Sequence, residues 1–212
     1  ASKTYDGSTS LTGYVTIDTG ISGQALTYTG AAANDANVAT ANKYISAITL
    51  ANGTGGTATN YALPTLNAAN APVTISAKTV SLSATKTYDG TTDLTGYVTV
   101  DTGISGQALT YTGAASNDAN VATASKYINA ITLANGTGGV ATNYALPTLD
   151  AAHAAVTINA KTVSLSASKT YDGSTSLTGN VTIDTGISGQ ALTYTGATAS
   201  NANVATANKY IS

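Results

Sequence analysis

Few residues in this chain are equipped for chemistry. Of 212 residues 18 are charged, 8 lysines and 10 aspartates, with no Arg, Glu or Cys and one histidine, His153. Nucleophilic catalysis needs a base held beside its nucleophile. The sequence repeats itself, and the counterpart of His153 in the first copy is Asn70. The imidazole therefore reads as an exposed loop residue rather than a base that each copy keeps. Two carboxylates can act as acid and base, as in glycosidases, but Asp6, Asp18 and Asp35 all lie among Gly or Asn, where Asp ordinarily caps turn backbone. Such turn carboxylates are also the hard oxygen ligands that Ca²⁺ takes, yet no D-x-D-x-D-G pattern is present. The expectation is no enzyme and no cofactor, with calcium between domains as the alternative.

Two modification chemistries also arise. Asn52, Asn135 and Asn180 each open an N-x-T triplet, a sugar acceptor wherever a glycosylating enzyme meets it. The first two stand in Asn-Gly pairs, which turn formation explains equally well. Lys3, Lys43 and Lys78 share each copy with several Asn, which raises an internal Lys–Asn isopeptide bond. The residues favour the simpler reading, a lysine on a solvent-facing strand.

The elements that must position these residues come in copies. Lys3-Thr4-Tyr5-Asp6-Gly7 returns as Lys86 to Gly90 and again as Lys169 to Gly173, a constant period of 83. Residues 1–83 and 84–166 match at 71 of 83 positions, and 167–212 differ from 1–46 at four. The chain therefore holds two full periods and part of a third, as a piece of a longer array would. A period of 83 exceeds the roughly 20–50 residues of a solenoid repeat and suits a small domain. Each copy has a thin core, drawn in the first from Leu11, Val15, Ile17, Ile21, Leu26, Ile45, Leu63, Val73, Ile75, Val80 and Leu82. Modest stability per domain follows.

Short Thr/Val/Ile/Tyr stretches of alternating polarity, bounded by Gly, Asn and Asp, read as strands. In one period they fall at 78–84, 94–100, 108–113, 124–134, 140–146 and 155–158. Turns fall at 88–90 and 101–103, and Asn135-Gly136 suits a type I′ hairpin turn. Val15 and Ile17 should point inward and Tyr14 outward, as its replacement by Asn180 in the third copy allows. The fold class expected is all-β: tandem Ig-like or Greek-key β-sandwich repeats, one per period, forming an extended rod.

The K-T-Y-D-G-[ST]-[ST] opening, the G-x-V-T-[IV] strand, the N-Y-A-L stretch and the closing V-T-I-x-A-K-T-V-S-L-S resemble YDG domains. These are tandem modules of very large bacterial surface proteins, including haemagglutinin-like adhesins exported by two-partner secretion. The resemblance covers the whole chain. It implies secreted or surface-anchored stalk modules with a sandwich-like fold and no catalytic residues. Tyr5, Asp6 and Gly7, Tyr88, Asp89 and Gly90, and Tyr171, Asp172 and Gly173 match its motif and are given a structural role. Its phasing divides the chain into 1–77 lacking a first strand, 78–160 complete, and 161–212 lacking its last strands.

A net charge of −2 without arginine argues against nucleic acid, whose phosphates need clustered cations. No apolar run approaches the roughly 18–20 residues of a membrane span. No secretion signal is visible, so one would lie outside this stretch. The expected role is an extracellular, non-enzymatic stalk of a bacterial surface adhesin, spacing an adhesive tip or linking cells in a biofilm. Its partners would be further copies of the same repeat and an unidentified cell-surface or biofilm partner. A self-assembling filament or sheath, a homopolymer whose subunits exchange strands, is the alternative, and a carbohydrate-binding module using Tyr14 and Tyr97 the second. The linker from residue 73 to 83, free of Gly and Pro, should couple neighbouring domains stiffly.

Overall fold

The computed structural model describes residues 1–212. It is all-β, with no α-helix and two single-turn 3₁₀ segments, Ala58–Asn60 and Ala141–Asn143. The strands are β1 (Ser2–Thr4), β2 (Leu26–Ala33), β3 (Ile45–Asn52), β4 (Thr74–Ser76), β5 (Lys78–Thr79), β6 (Ser81–Thr87) and β7 (Val98–Asp101). They continue with β8 (Leu109–Ser116), β9 (Ile128–Asn135), β10 (Tyr144–Ala145), β11 (Val156–Asn159), β12 (Ser164–Ala167) and β13 (Val181–Asp184).

The longest ladder in each of the first two copies is an antiparallel pair. In β2 with β3, Leu26 faces Asn52 and Thr29 faces Thr49, after which the register shifts. In β8 with β9 the same pairs recur as Leu109 with Asn135 and Thr112 with Thr132, with the shift in the same place. Gly30 and Gly113 stand at that shift with φ of 64° and 63°, a conformation that glycine takes without the Cβ penalty and that a bulge exploits. A tyrosine then fastens each ladder to the turn that crosses it. The Tyr28 hydroxyl accepts from Gly13 N–H at 2.8 Å and donates to Leu11 C=O at 3.1 Å. Tyr111 and Tyr194 repeat this on Val98 with Leu94, and on Val181 with Leu177.

Contacts divide the chain into two compact units. The first comprises Ala1–Ala84, Asp93–Asn117 and Ser125–Val156. In it β1 pairs parallel with β4, β5 parallel with β10, and the first half of β6 antiparallel with β7. Leu11, Leu94, Ile128 and Asn143 are its most completely buried side chains. The second comprises Thr85–Thr92, Asp118–Ala124 and Thr157–Ser212. Its regular pairing is β12 with β13, from Ser164 facing Asp184 to Ala167 facing Val181.

Several local expectations change. Asn135-Gly136 is not a type I′ turn, because neither residue takes a positive φ. The chain instead closes a ring from Gly136 to Gly139, with Gly136 N–H donating to Gly139 C=O at 3.1 Å. Glycine is required there by crowding: a β-carbon on Gly136 or Gly139 would stand 2.5 or 2.3 Å from Ala108 C=O. The Asn135 side chain accepts from Ala141 N–H at 2.8 Å, and Asn52 does the same for Ala58, so both asparagines shape the chain entering the 3₁₀ turn. The strand expected at 140–146 is mostly that turn. Ile21 and Leu63, expected inside, are exposed.

The lysines depart furthest from expectation. Lys3, Lys43, Lys86 and Lys126 are buried, not solvent-facing. An ammonium has three donors and no acceptor, and main-chain oxygens meet it. Lys43 Nζ donates to Val38 C=O at 2.9 Å and Thr40 C=O at 2.5 Å, and Lys86 Nζ to Thr91 C=O at 2.9 Å. Burial without such partners would be prohibitive; with them, lysine becomes the peg on which a loop hangs.

Candidate functional site: the Tyr-Asp-Gly turn and its docking surface

Every side chain of the K-x-Y-D-G motif has a separate task. Lys3 lies in β1 with its side chain turned inward, and its Nζ donates to Asp6 Oδ1 at 2.6 Å, Ser8 C=O at 2.7 Å and Ser10 C=O at 2.9 Å. Asp6 Oδ1 also accepts from Ser8 N–H at 2.9 Å, the Asx arrangement favoured in turns. Partial burial raises the Asp6 carboxyl, but the Lys3 hydrogen bond, the Ser8 N–H and the Lys3 charge together hold it below its ordinary value. The ion pair recurs as Lys86–Asp89 and Lys169–Asp172, both at 2.7 Å. This local part is identical in kind in all three copies.

Tyr5 and Gly7 reach further. The Tyr5 hydroxyl donates to Gln107 Oε1 at 3.1 Å, across 102 residues of sequence, and its ring meets Tyr144 edge to face at 5.4 Å. Tyr144 donates to the same oxygen at 2.5 Å. Gly7 takes a φ of 82°, and a β-carbon there would lie 2.9 Å from the Gln107 amide nitrogen and 3.4 Å from Ile104. Glycine therefore serves both the turn and the close approach. Burial pushes the Tyr144 hydroxyl up, a hydrogen bond with Thr102 opposes this, and neighbouring Tyr5 adds to the rise. A second clasp joins the same two copies. The Asn143 side chain, wholly buried, accepts from Val38 N–H at 2.8 Å and donates to Asn37 Oδ1 at 2.8 Å.

The contact is then repeated one period later. Gln190 Nε2 donates to the Tyr88 hydroxyl at 2.8 Å, and a β-carbon on Gly90 would lie 3.1 Å from Gln190 and 3.4 Å from Ile187. All four residues are the next-copy equivalents of Tyr5, Gly7, Gln107 and Ile104. The receiving loop is shaped in advance by its own residues. Thr102 Oγ1 donates to Gln107 C=O at 2.7 Å and Asp101 accepts from Gly103 N–H at 2.8 Å. Thr19 with Asp18, and Thr185 with Asp184, do the same.

The other residues singled out from sequence lie elsewhere. Asp18 and Asp35 each hold the N–H two residues on, at 2.9 and 2.6 Å. The Asn37 N–H holds the Asp35 carboxyl below its usual value, against a small opposing effect of burial. His153 is exposed and sits 2.8 Å from Asp150 Oδ1. No three His, Asp, Glu or Cys side chains gather at one place. Tyr14 and Tyr97 face solvent, as the alternation required. Sequence reasoning missed Gln107, Ile104, Tyr144 and Asn143, the surface on which the motif docks. The available signal was that D-T-G-I-S-G-Q repeats unchanged at 18–24, 101–107 and 184–190.

No family model matches the chain, and no curated protein or solved structure matches it either. No helix is long and apolar enough to cross a membrane.

Proposed function

We propose that this chain is a non-enzymatic, extracellular structural module: tandem β-sandwich repeats forming an extended stalk of a bacterial surface adhesin, which spaces an adhesive tip or links cells in a biofilm. The observation that carries this reading is the twice-used contact of a tyrosine and glycine from one copy on the Gln and Ile of the next. A joint that recurs with the sequence period is what a spacer needs, since each added copy then adds the same increment of length. The connection supports stiffness as well. From residue 74 to 87 the chain is nearly continuous strand, pairing in turn as β4, β5 and β6. The YDG-domain resemblance points the same way, and it supplies the bacterial surface and the assignment of copies 1–77, 78–160 and 161–212.

Small-angle scattering on chains of three, four and five copies tests the proposal. A stalk gives a maximum dimension rising linearly with copy number. Growth as the square root of copy number, the law of a flexible chain, would sink it.

One observation favours the second reading, a filament whose subunits exchange strands. Beside residues 15–18 lies a cavity of about 390 Å³ lined by Val15, Ile17, Leu26, Ile45 and Leu50. In the next copy the equivalent residues, Val98–Asp101, pair with Ser81–Ala84, so the cavity has the lining and strand edge to accept a segment of that kind.

A further inference from the structure

Both halves of the Tyr-Asp-Gly contact also occur unpartnered. In the third copy Tyr171 is 59% exposed, Val204 is 77% exposed, and nothing lies within 4 Å of a β-carbon on Gly173. In the first copy the receiving loop is complete, with Ile21 53% exposed and the Gln24 side chain already bonded to the Tyr61 hydroxyl. Where the same residues are engaged, Tyr5 is 6% exposed and Ile104 and Ile187 are half-buried. Asn60, the counterpart of the wholly buried Asn143, is exposed as well.

We propose that the chain associates head to tail with a second copy of itself, the Tyr171–Gly173 face of one molecule seating on the Ile21–Gln24–Tyr61 face of the other. The occupant is set by complementarity already present in the molecule: the same side chains fit each other at Tyr5 with Gln107 and at Tyr88 with Gln190. Both faces are also preformed. Lys169 holds the Tyr171 turn by bonds of 2.7 and 2.8 Å to Ser174 and Ser176 C=O, and Thr19 holds the Gln24 loop by one of 2.8 Å. Little ordering cost therefore remains for association. Because the two faces differ, the interface is heterologous, and closure into a ring or growth into an open chain depends on the rotation between subunits. This inference rests on reading the Tyr-Asp-Gly contact as an inter-copy joint, but not on the stalk, which the scattering series tests separately.

The test is sedimentation velocity of the whole chain from about 1 µM to about 1 mM, a span that covers weak through moderate affinities. The wild-type chain is expected to sediment faster as concentration rises. Tyr171→Ala and Ile21→Asp, both at exposed positions, should each weaken association about tenfold or more, as loss of a central interface anchor does. The deciding sample is the equimolar mixture of the two variants. Each retains one intact face, so the mixture should give a discrete dimer and nothing larger. Circular dichroism identical to wild type establishes that both variants are folded. The proposal is overturned by an unchanging sedimentation coefficient in the wild type, or by both variants self-associating like it. It is equally overturned if Leu165→Asp, aimed at the open cavity of about 700 Å³ beside β12, abolishes association while the other two do not.

Discussion

The same five residues, Lys-Thr-Tyr-Asp-Gly, stand at 3–7 and at 169–173, and the two stretches differ in what surrounds them rather than in how they are built. In both, lysine pairs with aspartate, at 2.6 and 2.7 Å, and the glycine φ is 82° and 77°. Yet Tyr5 is buried against Tyr144 and Gln107, whereas Tyr171 projects into solvent. The turn is thus a local product of the sequence, while the tyrosine's burial is supplied by residues about a hundred positions away. A motif that looked like one structural signature is two: a self-sufficient turn and a docking plug.

Truncating the tyrosine breaks this comparison most sharply. Tyr5→Ala removes a buried ring and the hydrogen bond to Gln107. The unit that contains it should lose about 3 kcal/mol, as buried aromatic truncations do. Tyr171→Ala, at an exposed position, should change stability hardly at all, as surface substitutions ordinarily do. Urea unfolding of both variants decides the matter, and equal effects would show that the ring acts within its own turn.

A second pair of identical sequences gives the next largest contrast. Ser81–Ala84 and Ser164–Ala167 both read S-L-S-A, yet Leu82 is buried and Leu165 is exposed. Leu82 lies in an alternating strand whose inward side chains are Leu82, Ala84 and Lys86. Leu165 pairs with Ile183 across β12 and β13 but lines the open cavity. Leu82→Ala should cost about 2–3 kcal/mol and Leu165→Ala close to nothing. Protease protection at β6 and early cleavage at β12 would report the same difference.

These pairs show what was legible in the sequence. Alternation placed β6, β8 and most of β9, and set Tyr14 and Tyr97 outward, because strand faces are a two-residue rule that needs no partner. Asp6, Asp18 and Asp35 capping their own turns was also readable, since the partner N–H is two residues away. What failed was long-range. Lysine is polar on every scale, and its side chain alone does not tell that Lys3 folds back onto the Ser8 and Ser10 carbonyls. The crowding that demands Gly136 and Gly139 comes from Ala108, well upstream in another part of the copy. Gln107 carried no motif at all. It is a receiving site only once Tyr5 and Tyr144 converge on its carbonyl oxygen.

A smaller contrast sharpens the division between turn and plug. Gly7 and Gly173 both have positive φ, so Gly7→Ala and Gly173→Ala each force a Cβ into a left-handed conformation, at about 1 kcal/mol. Only at Gly7 must the Gln107 amide also move, from a contact of 2.9 Å. The excess of Gly7→Ala over Gly173→Ala therefore isolates the docking. It should be about 1 kcal/mol, the low end of overpacking costs, because the far end of a glutamine can shift. No excess would mean that the glycine is present for the turn alone.

The smallest expected difference is between the turns themselves, and it is set by acid. Asp6 is raised by partial burial and lowered more strongly by Lys3 and the Ser8 N–H together; Asp172 is lowered first by Lys169 and then by the Ser174 N–H. Asp89 is likewise held down by Lys86 and Thr91 against its burial. A carboxyl whose folded value lies below its unfolded value of about 3.9 stabilises above that pH and loses its contribution as pH falls through the folded value. The turns should therefore hold at about pH 5 to 7 and loosen below about pH 4. Because the pair is intact whether or not the tyrosine is docked, the acid limb should be alike at Asp6 and Asp172. Carboxyl chemical shifts followed site by site down the acid limb test this. Depressed titration at Asp6 with ordinary titration at Asp172 would mean that docking, and not the lysine, holds the aspartate ionised.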